Sequence, residues 1–265
     1  MIRELGSAEE MALCEALEAE VWGLAPRALV PASQLVAAAH AGGLVAAAFQ
    51  GPRAVGFVYG FPSFRPELRP SPGHHSHMLA VLPAYRGRGL GQELKRFQRD
   101  WCLARGILWI TWTFDPLQRK NARLNLTHLG AEALEYRVNE YGPMNDRLNR
   151  GLPSDRLLAL WDLRREAKPA SPTDVAVSVP TSVPIALGAR EDGRPAPPNL
   201  GLDSAWLAVY SPDLLELLER GADLALAWRL AQREVMSHYL ARGYAVTAHR
   251  GEHYLFRGTT TKPPL

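Results

Sequence analysis

At 265 residues, with 47% apolar and 22% charged side chains, the chain is long enough for one large or two small cored domains and has the composition of an ordinary globular protein. Thirty Lys and Arg against 27 Asp and Glu leave a formal charge of +3, carried by scattered arginines, so nucleic acid is not an expected partner. Two cysteines, Cys14 and Cys102, argue against a disulfide framework and suit a reducing cytoplasm, and the absence of a leader-like start or of an apolar run near ~20 residues predicts no membrane partner.

Ile2 to Leu5 reads as a short edge strand. Ser7 is a good N-cap with Glu10 three residues on, and Met11, Leu13, Leu17 and Val21 follow at helical spacing up to Gly23. A second helix is predicted after Pro31, stopped by Gly42-Gly43. Leu44 to Phe49 and Val55 to Phe61 are apolar runs split by Gln50-Gly51-Pro52-Arg53, a hairpin signal. Phe64 to Gly73 is a proline-rich loop, and His74 to Leu82 is a strand closed by Pro83.

The chain then runs Tyr85-Arg86-Gly87-Arg88-Gly89-Leu90-Gly91, and Leu90, Leu94, Phe97, Trp101 and Ala104 continue at helical steps. A strand ends, glycines turn the chain, and a helix starts at the turn. First-turn amides of a helix have no partner inside it, and the helix dipole adds positive potential there. Glycines let such a backbone curl round an anion, with Arg86 and Arg88 adding full charges, so the stretch reads as a phosphate cradle. It is not a Walker loop, since no Gly-Lys-Ser/Thr follows, and a dinucleotide fingerprint is not evident.

Beyond the cradle helix, Ile107 to Phe114 is a strand bounded by Asp115-Pro116. Leu117 to Leu129 reads as a helix ending at Gly130, and Ala133 to Val138 and Leu157 to Leu163 as strands. Residues 166–204 are rich in proline and small residues and read as a linker or surface wrap. A small α/β module is predicted over 205–257. It contains a strand Ala205 to Tyr210, a helix opened by Ser211 and Pro212, a helix Asp223 to Arg242, and a hairpin Tyr244 to His249 with His253 to Phe256. Residues 258–265 read as a tail. The helix–glycine–strand stretch Leu126 to Val138 is loosely echoed by Leu240 to Ala248.

The spacing Arg86-x-x-Gly89-x-Gly91 matches the R/Q-x-x-G-x-G/A signature of the GNAT N-acetyltransferase superfamily, which the chain resembles in element order as well. Leu129-Gly130-Ala131 is similar to the Leu-Gly-Phe close of the superfamily's last helix, and the runs S-H-M-L-A-V, W-T-F-D-P-L-Q and Y-G-P-M-N-D-R-L-N-R-G-L-P-S-D-R resemble a narrower subgroup of predicted acetyltransferases. The resemblance implies an α/β (α+β) acyl-CoA N-acyltransferase fold with a mixed central sheet, over residues 1–165, followed by a C-terminal appendage. It implies acetyl-CoA or another acyl-CoA as donor, with its diphosphate on Arg86, Gly87, Arg88, Gly89, Leu90 and Gly91, and its pantetheine arm on the backbone of Leu79, Ala80 and Val81. An amide of that strand would serve as an oxyanion donor. One departure stands out: many relatives place a tyrosine four residues before the last-helix glycine to protonate the leaving thiolate, and here that position is Leu126.

Candidate chemistry follows from residue type. His75, His77, Leu79 and Val81 share one face of a regular strand, and His77 lies nearer the expected thioester, so it is the candidate base. The alternative is a structural histidine. Asp115, just after a central strand, is a second candidate base or a site for a cationic acceptor, or else a plain turn residue. Tyr136 and Tyr141 are candidate proton donors or core aromatics. Asn121 and Asn125 share a helix face that could reach the coenzyme. Trp22 and Trp112 could line an acceptor pocket, although large aromatics are usually core, and Arg156, in the polar run from Asn145, could grip an acceptor carboxylate, the alternative being a surface salt bridge with Asp155 or another acid. The three nearby histidines do not make a metal site, because alternation sets His74 opposite the other two. The expected activity is transfer to a small-molecule amine, an amino acid among them, by direct attack in a ternary complex of a monomer or homodimer. The alternatives are a non-catalytic sensor of CoA or another phosphoryl ligand, and an anion- or RNA-binding module.

Overall fold

The computed structural model describes residues 1–68, 70–144, 151–165, 180 and 182–258. The part of the polar run at 145–150, the first part of the predicted linker (166–179 and 181) and the tail at 259–265 lie outside them. The chain divides into two compact units, Met1–Trp112 with Asp162–Arg164, and Thr113–Trp161 with Arg165–Leu265.

In the first unit, strands β1 (Ile2–Glu4), β2 (Leu44–Gln50), β3 (Arg53–Ser63) and β4 (Gly73–Val81) form an antiparallel run, and β4 then pairs in parallel with β5 (Trp109–Phe114). Helix α1 (Ala8–Trp22) starts where expected. Ser7 Oγ accepts the Glu10 amide at 3.3 Å, while the Glu10 carboxylate reaches back to the Gly6 amide at 2.7 Å. Gly23 ends it in the left-handed conformation. Helix α2 (Ala32–His40) follows, and α3 (Leu90–Leu103) buries Leu94, Lys95, Gln98, Trp101 and Cys102.

Two irregularities of β4 position the site. Tyr59 pairs with Met78 but Gly60 pairs with Ser76, so His77 is an extra residue, a bulge. The parallel ladder to β5 holds only His74 with Ile110 and His75 with Thr111. From Ser76 to Val81 that edge of β4 has no strand partner among the described residues.

The second unit contains α4 (Arg119–Ala122), β6 (Glu132–Arg137), β7 (Arg156–Asp162), β8 (Ile185–Leu187), β9 (Trp206–Tyr210), α5 (Leu214–Arg220), α6 (Ala222–Ala241), β10 (Tyr244–Arg250) and β11 (His253–Gly258). The strand order is β7-β6-β10-β11-β9-β8, with only β8 and β9 parallel. The two echoing helix–glycine–strand stretches meet here, Val246 of β10 lying opposite Ala133 of β6.

Three expectations are corrected. The helix predicted from Leu117 begins at Arg119, because Asp115 first folds a turn, its carboxylate accepting the Leu117 amide at 2.8 Å and its carbonyl the Gln118 amide. Its second half, Arg123–His128, is a wide π-helical turn in which the Leu129 amide reaches the Leu124 carbonyl. Ser211 does not cap α5: its amide is held by the Glu252 carbonyl, and Asp213 caps instead, accepting the Leu215 amide at 3.1 Å. Within the predicted linker, β8 pairs with β9. Among the described residues no helix is long and apolar enough to cross a membrane.

Candidate active site

The cradle has the geometry its sequence dictates. Gly87 (φ 74°) and Gly89 (φ 82°) are left-handed, a conformation that costs other residues about 1–2 kcal/mol. A Cβ on either would meet nothing within 4 Å, so open space lies in front of the turn. The Gly89 carbonyl takes the Glu93 amide, and the amides from Gly87 to Gln92 have no protein acceptor among the described residues. Six donors therefore sit at the positive end of a 14-residue helix. Arg86 donates from Nε to the Val81 carbonyl at 2.9 Å, tying the cradle to the end of β4, and the Arg88 side chain is exposed. These residues fit a diphosphate.

On one face of β4 the bulge gathers a ring cluster. Phe61 lies 5.5 Å from His75 and 5.8 Å from His77 between centroids, the two imidazoles are 6.5 Å apart, and Tyr59 stands edge-on to His77 at 5.8 Å. His75 Nδ1 is 3.1 Å from Thr111 Oγ1. His77 remains open to solvent, yet packing against these rings disfavours its charged form and pushes its pKa below the ordinary imidazole value. Trp22, at the end of α1, packs edge-on to Phe57 at 6.3 Å. Leu79 and Val81 are half-buried and Ala80 is buried.

The opposite face of β4 carries a buried polar chain that sequence reading missed. Lys95 Nζ donates to Ser76 Oγ at 2.7 Å and to Gln98 Oε1 at 3.1 Å, and lies 3.9 Å from the centre of the Trp112 ring. Gln98 Nε2 is 3.1 Å from His74 Nε2. Burial pushes Lys95 down to about 7 and His74 down to about 3. The available signal was Lys95 and Gln98 sharing the α3 face of Trp101 and Cys102. His74 is thus separated from His75 and His77, and among the described residues no group of three His, Cys, Asp or Glu side chains is placed to hold a metal ion.

The candidates in the second unit are held by a charge network. Asp115 is 4% exposed, and its carboxylate receives two Arg229 nitrogens at 2.7 Å each, with Arg156 Nη1 at 3.7 Å. Asp155, fully buried, accepts Arg233 at 2.8 and 2.9 Å, the Tyr136 hydroxyl at 2.8 Å and the Asn139 amide at 3.0 Å. Desolvation, reinforced by Asp155, raises the Tyr136 phenol well above its ordinary value. Tyr141 is exposed, its hydroxyl 2.7 Å from Thr113 Oγ1 and its ring 5.5 Å from the Arg156 guanidinium. Arg156 is buried and donates to the Asp155 carbonyl at 2.8 Å. Asn121 is exposed and bonded to Gln118, while Asn125 is buried in the π-helical turn. Leu126 beside it is buried as well. Arg229 and Arg233, four residues apart on α6, were not singled out in the sequence, since their partners lie 114 and 78 residues away.

Residues 11–125 match the profile of the acetyltransferase (GNAT) family. Among solved structures, the chain is similar to the ribosomal-protein-S18-alanine N-acetyltransferase from Escherichia coli, at 15% identity over 62% of this chain and 93% of that one, with a TM-score of 0.49. It is also similar to the aminoglycoside 6'-N-acetyltransferase from Enterococcus faecium, at 15% identity over 62% and 97%, with a TM-score of 0.46. An aminoglycoside 6'-N-acetyltransferase complexed with coenzyme A gives 15% identity over 62% and 97%, with a TM-score of 0.45. No curated protein sequence matches the chain. The cradle, β4 and α3 thus all lie within the stretch that matches the acetyltransferase (GNAT) family.

Proposed function

We propose that the protein transfers an acyl group, acetyl foremost, from an acyl-CoA to the amine of a small molecule by direct attack in a ternary complex. The observation that carries this reading is that, among the described residues, the amides from Gly87 to Gln92 at the start of α3 are unclaimed and the β4 edge from Ser76 to Val81 has no strand partner. Acetyl-CoA, when bound, supplies an activated thioester carbonyl. The cradle amides with Arg86 and Arg88 bind its diphosphate, and the β4 backbone over Leu79, Ala80 and Val81 orients its arm, one amide donating to the carbonyl oxygen. His77 takes the proton lost by the attacking amine.

Asp115, with both oxygens engaged by Arg229, serves in this reading as a structural anchor rather than as a base. Tyr136 commits its proton to Asp155, which leaves Tyr141 as the tyrosine suited to donate one. A covalent acyl-enzyme is disfavoured, because burial pushes the thiols of Cys14 and Cys102 up to about 12. We read residues 1–165 as the transferase domain and 205–257 as a module that completes it. A second reading, a sensor that binds CoA without turnover, is favoured by one observation, the buried Leu126 at the position of the usual tyrosine.

Thermal shift with CoA, acetyl-CoA and RNA, followed by thiol release from acetyl-CoA over an amine panel, separates these readings. The transferase reading expects stabilisation by CoA and amine-dependent thiol. Stabilisation without turnover selects the sensor, and a response to RNA alone rejects both.

A further inference from the structure

Resting on the transferase reading, we propose that Phe61, His75 and His77 form a ring platform that selects a flat aromatic amine of low basicity, an arylamine, as the acceptor. The placement of the rings carries the argument. Phe61 lies directly opposite His75 in the β3–β4 ladder, and the inserted residue brings His77 to the same phenyl ring. The three rings tilt by only 36° to 47° from one another with centroids 5.5 to 6.5 Å apart, a spacing suited to π contacts with a further ring. All three retain access to solvent, His77 most of all, so the platform is open to a ligand. His77 lies two residues before Leu79, where the backbone assigned to the donor's arm begins. A ring lying on Phe61 and His75 would thus present an attached amino group to the imidazole of His77.

Charge decides between classes of amine. Burial alone shifts His77, with no charged neighbour contributing among the described residues. Arg65 and Glu67, the ionic residues that follow β3, are paired with each other at 2.5 Å. Lys95 and His74 belong to the opposite face, where Ser76 and Gln98 hold them. An aliphatic amine resembles the lysine side chain, with a pKa of about 10.4, and arrives protonated at neutral pH. A cation–π contact would hold it in that unreactive form. His77, a weaker base than a free imidazole, is poorly suited to strip that proton first. An arylamine arrives neutral, because its lone pair is shared with the ring. Its nitrogen forms the C–N bond, the C–S bond breaks with its electron pair on sulfur, and the proton lost by nitrogen passes to His77.

The test measures kcat/KM for 4-methylaniline, benzylamine and cyclohexylamine with saturating acetyl-CoA at about pH 7.5, by free-thiol release. The expected result is a preference for 4-methylaniline of about tenfold or more over both others, in line with ring–ring contact and the protonation difference. Phe61→Leu, which keeps an apolar side chain, is expected to raise KM for 4-methylaniline about five- to tenfold while the melting temperature holds. His75→Gln provides an independent loss of one ring. Equal or better turnover of benzylamine or cyclohexylamine overturns the inference while leaving the transferase reading intact. So does an unchanged KM for 4-methylaniline in both variants. Absence of thiol release with every amine, together with absence of stabilisation by CoA, overturns the transferase reading itself and this inference with it.

Discussion

Packing against Tyr59 and Phe61 disfavours the imidazolium of His77, so its proton-accepting form persists to lower pH than in a free imidazole. The pH profile of kcat/KM is expected to fall on the acid side, through a value below about 6.5. His77→Gln is expected to remove that limb and lower kcat roughly 10²-fold. An acid limb unchanged in the variant would reject His77 as the base. His74, five residues before Leu79 and on the other face, has a different consequence. Its folded pKa of about 3 lies below the unfolded value of about 6.5. Between those values the unfolded chain binds the additional proton. The stability contributed by neutral His74 is therefore complete above about pH 6.5 and is lost as pH falls. Going from pH 7 to 4.5 is expected to cost ~2–3 kcal/mol from this residue. Urea unfolding at both pH values checks it: in His74→Gln the pH difference shrinks by that amount, with His249, held near 4 by burial, still adding loss of the same sign. The separate duties of His74 and His77 were legible from strand alternation. The Gln98 and Lys95 partners were not, since they come from a helix whose approach no local pattern specifies.

Local chemistry decided which elements could be read. The cradle turn is set by two glycines and by helical spacing directly after them, and the left-handed angles at Gly87 and Gly89 follow from those residues alone. The bulge at His77 needs the register of β3, and the shift of the α5 cap from Ser211 to Asp213 needs the Glu252 carbonyl ahead of β11. The π-helical turn over Arg123–His128 likewise had no signature in an otherwise regular apolar pattern. An element that can be read locally can also be tested by one atom. With nothing within 4 Å of an added Cβ, Gly89→Ala meets no packing clash, only the left-handed backbone cost of about 1–2 kcal/mol and a methyl group in the space facing the amides. The expected outcome is a Kd for CoA weakened about tenfold or more, measured by titration calorimetry, with a cooperative melt retained. CoA affinity equal to that of the unsubstituted protein would separate the turn from the donor site.

The composition change at residue 166 suggested a boundary between a domain and an appendage, yet the charges of the second unit run across it. Arg229 and Arg233 of α6 are the bidentate partners of Asp115 and Asp155, and Val246 of β10 lies opposite Ala133 of β6. Proline content reports on local backbone; it carries no information about an ion pair 114 residues apart. Removing one partner of a buried pair leaves an uncompensated charge at a cost of about 3–5 kcal/mol, whereas replacing both partners with apolar residues is often neutral. Arg229→Met is therefore expected to destabilise by about that amount in urea unfolding, and Asp115→Leu with Arg229→Met to recover a substantial part. A chain ending at Ser204 loses both arginines at once. Asp115 and Asp155 would then be left as buried anions, and β6 would lose its β10 neighbour. The two charge penalties alone approach the ~5–15 kcal/mol that typically holds a folded protein together. The truncated chain is expected to lose its cooperative unfolding transition and, with it, stabilisation by CoA. A sharp transition with CoA binding intact in that chain would show that α6 decorates the transferase rather than completing it.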